Sequence, residues 1–207
     1  MTLTFYTNPQ SRGRIARWML EEVGATYDTV VLGYADSMKA DDYRSINPMM
    51  KVPAIVHDGR VVTETAAICA YLADAFPDAA LAPRTPEERA LYYRWMFFAA
   101  GPMEAAITNK SMGVEPNDQQ QRMAGYGSFD LAAQVLEQAV AERRFVAGDR
   151  FTAADVYVGS AIGWYTRFGM LPQNAAFDAY LERIESREAY KRASELDDAA
   201  AAANGAG

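Results

Sequence analysis

Apolar and polar residues in the first third of the chain alternate with a period that switches between that of a strand and that of a helix. Residues 3–7 alternate with a period of two, which predicts a short strand. In residues 12–23 the apolar side chains return every three or four positions, which predicts a helix, and Gly24 is typical of a helix end. Residues 27–32 predict a second strand.

The pattern continues with a weak helix, a hairpin around the turn-forming dipeptide Asp58-Gly59, and a further helix. These segments cover residues 37–46, 53–56, 60–62 and 65–76 in that order. The element order is therefore β-α-β-α-β-β-α, which is typical of a thioredoxin-like α/β domain. We assign this domain to residues 1–76.

Every periodic segment after this domain is helical. Residues 77–86 contain three prolines and predict a linker. An all-α helical bundle domain is expected over residues 87–199, with a bend near Gly101-Pro102, and a flexible tail over residues 200–207. The predicted helices span residues 87–112, 119–143, 152–168, 174–184 and 188–196.

Composition excludes several classes of function. The 207 residues are half apolar, which is enough for two small domains with buried cores. The net charge of −7 argues against a nucleic-acid partner, because phosphate binding needs clustered lysine and arginine. No apolar run is long enough to cross a membrane, and the start of the chain lacks the segments of a secretory signal. We therefore expect a cytoplasmic protein without a membrane partner.

Two scarce residue types limit the chemistry. Cys69 is the single cysteine, so an internal disulfide is excluded, and its apolar neighbours predict a core position. His57 is the only histidine, so neither a histidine-rich metal site nor a Ser-His-Asp triad is expected. His57 stands beside the predicted turn, where we expect it to be exposed. No metal cofactor is expected.

One stretch combines three features of a peptide receptor. Pro53 begins a predicted strand, where its missing N–H is tolerated, and the Val52-Pro53 bond is a candidate cis peptide. A cis bond would turn the Val52 backbone outward, so that its N–H and C=O could pair with an extended peptide. Glu64 and Thr65 open a helix whose N-terminal N–H groups favour an anion. The stretch predicts a site for a small zwitterionic peptide.

These residues carry a resemblance to a known family. Val52, Pro53, Glu64 and Thr65 resemble, position by position, the glutathione-binding half of the cytosolic glutathione transferases, and the resemblance extends over nearly the whole chain. It implies that Val52 pairs with the cysteinyl backbone of glutathione and that Glu64 and Thr65 hold its γ-glutamyl end. It also implies a homodimer whose two-fold interface includes the helix after Glu64 and the first two helices of the bundle.

The reactive group of a thioredoxin-like domain lies at the N-terminus of its first helix, where dithiol oxidoreductases have cysteines. This chain has no cysteine there, so the thiol must come with the substrate. Ser11 is our first candidate for the donor that holds the glutathione sulfur as a thiolate, because its spacing from Tyr6 resembles that of the catalytic cysteine in bacterial beta-class members. Tyr6 is the rival, since it resembles the donor of tyrosine-type members, and Asn8 is a third candidate.

Each of these residues also has a purely structural interpretation. Serine is a favoured helix N-cap, and the ring of Tyr6 could simply pack in the interior. Arg12, Lys39 and Lys51 could reach the carboxylates of glutathione, although basic side chains of this kind are commonly solvated. Ser11 and Tyr6 therefore gain their functional interpretation from the Val52-Pro53 stretch downstream.

The second domain supplies the expected site for the second substrate. Aromatic and methionine side chains crowd its first helix, and those that are not needed in the bundle core could line an apolar cleft for a hydrophobic electrophile. The candidates are Phe97, Phe98, Met103, Trp164 and Phe168. Thr152 and Asp155 resemble the family's helix-capping motif and are expected to act in folding.

The expected activity is transfer of glutathione, the co-substrate, to hydrophobic electrophiles, and peroxide reduction is a further reaction open to the same thiolate. Two alternatives remain. One is a non-catalytic glutathione-binding, ligand-binding or scaffold protein of the same fold. The other is a glutathione-dependent disulfide reductase or isomerase.

Overall fold

The computed structural model describes residues 2–204. Its sheet has four strands in the spatial order β2-β1-β3-β4. Strands β1 and β2 are parallel, whereas β3 is antiparallel to both β1 and β4, so the sheet is mixed. The strands are β1 (Leu3–Thr7), β2 (Asp28–Val31), β3 (Ala54–His57) and β4 (Arg60–Thr63).

Three α-helices complete the N-terminal part and confirm the predicted β-α-β-α-β-β-α order. They are α1 (Gly13–Glu22), α2 (Asp41–Ile46) and α3 (Thr65–Ala75). Short 3₁₀ turns lie before α2 and after α3, at Ser37–Lys39 and Pro77–Ala79. Phe5 and Ile55 of the sheet are fully buried, and so are Met19 of α1 and Leu72 of α3. The core of this part therefore lies between the sheet and these two helices.

The rest of the chain is helical, as predicted. The helices are α4 (Pro86–Phe98), α5 (Glu104–Ser111), α6 (Asp118–Met123), α7 (Phe129–Glu142), α8 (Ala153–Arg167), α9 (Ala175–Glu185) and α10 (Glu188–Asn204). The expected bend near Gly101-Pro102 is a π-helical segment, Ala99–Met103, between α4 and α5. Pro102 has no N–H to donate, which explains why the regular hydrogen-bond ladder is interrupted there.

One predicted helix is divided in two. Residues 119–143 were expected to be continuous, but α6 ends at Met123 and α7 begins at Phe129. Ala124 leaves the helical conformation, with φ −73° and ψ 126°, and ends α6. Gly127 then takes a positive φ of 67°, and the Ser128 hydroxyl caps α7 by accepting from the N–H of Leu131 at 3.2 Å.

The chain forms two compact units whose boundaries differ from the expected ones. One unit takes in residues up to 82 together with the chain from Ser186 onward, and the other is Pro83–Glu185. The last helix, α10, therefore belongs to the unit that contains the sheet, not to the helical unit. Residues 200–204 of the expected tail continue α10, because alanine is the best helix former. Residues 205–207 lie outside the described part.

A buried carboxylate organises the start of α8. Asp155 is fully buried, and its Oδ2 accepts from the backbone N–H of Thr152 at 2.9 Å, which with the Thr152 hydroxyl completes the expected capping box. Its Oδ1 accepts from the N–H of Val146 at 2.9 Å and from the hydroxyl of Tyr180 at 2.8 Å. Asp155 thus ties the preceding loop and α9 to α8 within the helical unit.

Among residues 2–204, none of the helices combines the length and the apolar character needed to cross a bilayer.

Burial should make Asp155 a source of pH-dependent stability. Burial raises the pKa of Asp155 from about 3.8 to about 6, although its four donors oppose the shift. The folded protein therefore retains this proton between about pH 4 and 6 while the unfolded chain loses it, so stability falls as the pH rises through that window. Relative to Asp155→Asn, the unfolding free energy of the parent should fall by about 3 kcal/mol from pH 4 to 6.5 in urea titrations. In Asp149→Asn, which alters an exposed carboxylate, the unfolding free energy should change with pH as it does in the parent. If the unfolding free energies of Asp155→Asn and the parent changed with pH in the same way, the buried carboxylate would not be the source of the pH dependence.

Candidate functional site

The register of the sheet brings the ends of three strands into one row. Tyr6 on β1 pairs with Ala54, the first residue of β3, and Ala54 pairs with Thr63, the last residue of β4. Because these three residues lie side by side, the residues that follow Tyr6, precede Ala54 and follow Thr63 all leave the sheet at the same edge. We call residues 8–12, 51–53 and 64–65 the site edge.

The loop before β3 is anchored by two side chains that the sequence did not single out. The hydroxyl of Tyr43 and the side-chain amide of Asn47 both donate to the C=O of Lys51, at 2.6 and 2.8 Å. Tyr43 is buried, and burial raises its pKa to about 12, so the hydroxyl stays protonated as a donor. Both residues lie in or beside the weakly periodic segment that forms α2, where nothing in the pattern marks a buried donor.

The peptide bond between Val52 and Pro53 is cis, as predicted. The side chain of Val52 packs against a buried cluster that includes Leu32, Met38 and Tyr43. Its backbone N–H and C=O take no part in a hydrogen bond among the described residues. Val52 therefore presents one strand-like donor and one strand-like acceptor at the site edge.

Glu64 and Thr65 occupy the next position along the site edge. Glu64 is exposed and has φ 65° and ψ 117°, a backbone conformation that is unfavourable for a residue with a side chain. Its side chain does not cap α3, whereas Thr65 is the buried first residue of that helix. The first-turn N–H groups of α3 and the Glu64 carboxylate thus lie next to each other, where they can bind an ammonium and a carboxylate of one ligand.

The hydroxyl of Ser11 forms two hydrogen bonds within the loop before α1. Its hydroxyl donates to the C=O of Asn8 at 2.7 Å and accepts from the N–H of Gly13 at 2.9 Å. Gly13 must be glycine, because a Cβ there would come within 2.0 Å of the buried Thr7 hydroxyl. Ser11 is therefore not the N-cap of α1, which is Arg12, but its hydroxyl holds the N–H of the first helical residue. Donation to a ligand requires the hydroxyl to leave Asn8.

The two other donor candidates, Asn8 and Tyr6, differ in the hydrogen bonds that their side chains already form. The Asn8 amide donates to the C=O of Leu32 at 2.8 Å and its oxygen accepts from the N–H of Gln10 at 2.9 Å. Tyr6 is half-buried, and its ring contacts that of Tyr43 with centroids 5.5 Å apart. The Tyr6 hydroxyl makes no hydrogen bond within the described part of the chain.

Two of the three basic candidates, Arg12 and Lys51, belong to the site edge. Arg12 immediately precedes α1, and Lys51 precedes Val52; both side chains are exposed. Lys39 ends the 3₁₀ turn before α2 and is also exposed. Neither lysine forms a salt bridge within residues 2–204. No group of three or more His, Cys, Asp or Glu side chains in that range could hold a metal ion.

Comparison with known proteins identifies the family. A family model described as the N-terminal domain of glutathione S-transferase matches residues 12–75, and one described as the C-terminal domain matches residues 89–188. The chain belongs to the glutathione S-transferase family. The first match begins after Tyr6, Asn8 and Ser11, so it does not distinguish among the three donor candidates.

Individual members of the glutathione S-transferase family resemble this chain over varying lengths. Glutathione S-transferase GstA of Escherichia coli O157:H7 is 30% identical over 126 residues, which are 60% of this chain and 62% of that protein. The chain therefore spans less than two thirds of the length of GstA. Glutathione S-transferase GST-4.5 of Xanthomonas campestris pv. campestris is 28% identical over 158 residues, which are 72% and 77% of the two chains. A sphingomonad glutathione S-transferase solved in complex with glutathione is 26% identical, with a TM-score of 0.76 over 94% of this chain and 98% of that one.

The five candidates for the second-substrate site of this family member have very different exposures. Met103 is fully buried, so its side chain supports the helical core and offers no open surface. Phe98 packs edge-on against the ring of Trp95, whereas Phe97 is 72% exposed. Trp164 and Phe168, at the end of α8, form a ring pair with centroids 4.8 Å apart, and Phe168 is 59% exposed.

The single histidine and the single cysteine are both structural. His57 was expected to be exposed, but it is buried: its ring stacks on Phe76 with centroids 5.6 Å apart, and its Nδ1 lies 2.9 Å from the Tyr71 hydroxyl. The helix α3 that follows the hairpin covers it. Cys69, on the same helix, is fully buried, and burial raises the pKa of its thiol.

The hydrogen bonds of the free protein predict different stability effects for the two hydroxyl candidates. Ser11→Ala should lower the unfolding free energy by about 1–2 kcal/mol, because Gly13 loses its acceptor at the helix start. Tyr6→Phe should change it by less than about 0.5 kcal/mol, because its hydroxyl has no partner among the described residues. Urea unfolding of both variants checks this, and equal losses would show that the Tyr6 hydroxyl is engaged.

Proposed function

We propose that this protein is a glutathione transferase that binds glutathione at the site edge, holds its sulfur as a thiolate and transfers it to a hydrophobic electrophile. The observation that carries the proposal is the row Tyr6–Ala54–Thr63, because it gathers the Val52 backbone, the start of α3 and the loop before α1 on one edge of the sheet.

The three parts of the site edge match the three residues of glutathione. The unpaired N–H and C=O of Val52 suit the cysteinyl backbone, which is the extended middle of the peptide. Glu64 and the N-terminus of α3 suit the ammonium and carboxylate of the γ-glutamyl end, with Thr65 as a further donor. Arg12, Lys39 and Lys51 supply the positive charge for the glycyl carboxylate.

Ser11 is the proposed donor to the sulfur. Its hydroxyl already accepts from the Gly13 N–H, which strengthens it as a donor. A thiolate is a charged acceptor and therefore a stronger one than the neutral Asn8 carbonyl that the hydroxyl bonds in the free protein. Lowering a thiol pKa of about 8.5 by two units needs about 2.7 kcal/mol, which one charge-assisted hydrogen bond and the start of α1 can supply.

The reaction needs no covalent enzyme intermediate. The glutathione thiolate attacks an electrophilic carbon, a carbon–sulfur bond forms, and the leaving group departs with its electron pair. The ring pair of half-buried Trp164 and exposed Phe168 is the proposed apolar contact for the electrophile. The relatives support this reading, since GstA and GST-4.5 are glutathione S-transferases by name and the sphingomonad enzyme was solved with glutathione.

The thiolate can be observed directly by its ultraviolet absorbance. In the parent, glutathione bound to the protein should titrate about two pH units below free glutathione. Ser11→Ala should move that titration back toward the free value, because it removes the donor, whereas Tyr6→Phe should leave it unchanged. The reverse result would assign the donor role to Tyr6, and no effect of either variant would refute this site.

Assays of binding and turnover distinguish the transferase from a non-catalytic binding protein and from a disulfide reductase. Retention on glutathione-agarose together with conjugation of a dinitrobenzene halide is expected. Retention without conjugation or peroxide reduction would indicate a binding protein, and reduction of a mixed disulfide without conjugation would indicate a reductase.

We also propose a homodimer. Tyr93 and Phe97 lie one turn apart on α4, are 46% and 72% exposed, and contact each other with ring centroids 6.3 Å apart. A large exposed aromatic pair of this kind commonly marks an interface. It belongs to the first helix of the bundle, where the family resemblance places the two-fold contact.

A charge at this pair should weaken the dimer. Phe97→Asp should shift the protein toward monomer at micromolar concentration, because an unpaired carboxylate is costly to bury in an interface. Sedimentation velocity measures the change, with Met123→Asp as a control at another highly exposed apolar residue. A parent that sediments as a monomer would refute the proposed homodimer.

A further inference from the structure

Three ion pairs join α1 to α10, and a fourth joins α1 to Arg187, the residue immediately before α10. They run in opposite directions on the two helices, which shows an antiparallel packing with a fixed register. The pairs are Arg14–Asp198, Arg17–Asp197, Glu21–Arg192 and Glu22–Arg187. This contact lies within the unit that contains the site edge, so α10 packs on the same helix whose N-terminal loop carries Ser11.

The second pair is buried. Arg17 is 4% exposed and Asp197 is 1% exposed, and their Nε and Oδ1 atoms are 2.7 Å apart. The guanidinium of Arg17 also lies over the ring of Phe5 on β1, 5.1 Å from its centroid. Oδ2 of Asp197 has no hydrogen-bond partner among the described residues. A buried ion pair seldom adds net stability over apolar side chains, but it is satisfied in only one alignment of the two helices.

The first pair extends to the site edge itself. Arg14 contacts Asp198 with one nitrogen at 2.5 Å and donates with the other to the C=O of Pro9 at 3.3 Å. Pro9 lies in the loop between β1 and α1, next to Asn8. Ala201, further along α10, lines a cavity of about 390 Å³ together with Asn8, Pro9 and Gln10. The end of α10 is therefore joined to the loop through the Arg14 bridge and borders the same cavity as the loop.

We propose that Asp197 and Asp198 are positioning residues for the sulfur site. Through Arg17 and Arg14 they fix α1 and residues 8–12 against the sheet, so that the Ser11 hydroxyl needs only to turn from the Asn8 carbonyl to donate to the sulfur. Neither carboxylate touches the substrate. The catalytic consequence rests on the proposed function of Ser11, whereas the effect on the loop does not.

The kinetic test compares variants of the two aspartates with a control variant nearer the start of α10. Asp197→Ala and Asp198→Ala should each lower kcat/KM for glutathione by about tenfold to a hundredfold, because small displacements of a reacting group are costly. At saturating glutathione the pH profile of kcat/KM for the electrophile reports the bound thiol, and the pKa seen there should rise by about one while KM for the electrophile stays unchanged. Asp198→Glu, which keeps the exposed charge, should retain most of the activity. If Asp197→Ala does not fold, Asp197→Asn takes its place in the same kinetic measurements.

The matched control is Arg192→Ala. It removes another ion pair between the same two helices, with Glu21 in the last turn of α1, far along the helix from Pro9. It should keep the kinetic pKa and kcat/KM of the parent. Equal losses in Arg192→Ala and Asp197→Ala would overturn the proposal, since they would show only a general weakening of the helix contact.

Hydrogen exchange tests the loop without reference to activity. The N–H groups of Ser11 and Gly13 are bonded within the loop, at 3.1 and 2.9 Å. They should exchange about tenfold faster or more in Asp197→Ala and Asp198→Ala, well below the unfolding temperature, and at the parent rate in Arg192→Ala. Unchanged exchange in the aspartate variants would refute the positioning role. A parent without transferase activity but with this exchange pattern would refute the proposed function alone.

Discussion

The pairing of β1 with β3 and of β3 with β4 is the constraint on which the candidate site depends. Side chains alternate between the two faces of a strand, so a slip of one residue would turn Tyr6 and Ala54 to the wrong faces. It would also move Val52 out of line with the loop that carries Ser11. Fully buried Phe5 and Ile55, which pair across the same two strands, fix that register through the core.

The unit that contains the sheet is built from both ends of the described chain. Its first helix is held between the sheet on one side and α10 on the other, and both contacts are made by residues in the middle of α1. Such a helix cannot shift without breaking buried contacts on two sides. That rigidity suits a site whose groups must keep their positions as a sulfur gains charge.

Much of this fold follows from the sequence because its signals are local. The alternation of residues 3–7, the Asp58-Gly59 turn and the proline at the start of β3 each predict one element from neighbouring residues. Contacts between distant residues are a different matter. Nothing in the run from Glu188 onward indicates that Asp197 would be buried beside Arg17. The sequence pattern likewise gives no sign of the contact between Tyr43 and Lys51. At the site itself, the residue types of Ser11 and Tyr6 made them candidates, but only the structure shows which hydroxyl is already engaged.

The burial of Cys69 has a chemical consequence for a protein that works on reactive compounds. Electrophiles that modify a thiol would find none accessible on this polypeptide, because its only sulfhydryl is enclosed in the core and kept protonated. The proposed reaction with reagents of this type therefore leaves no cysteine of the protein open to alkylation, and no exposed thiol is present through which oxidation could cross-link two copies.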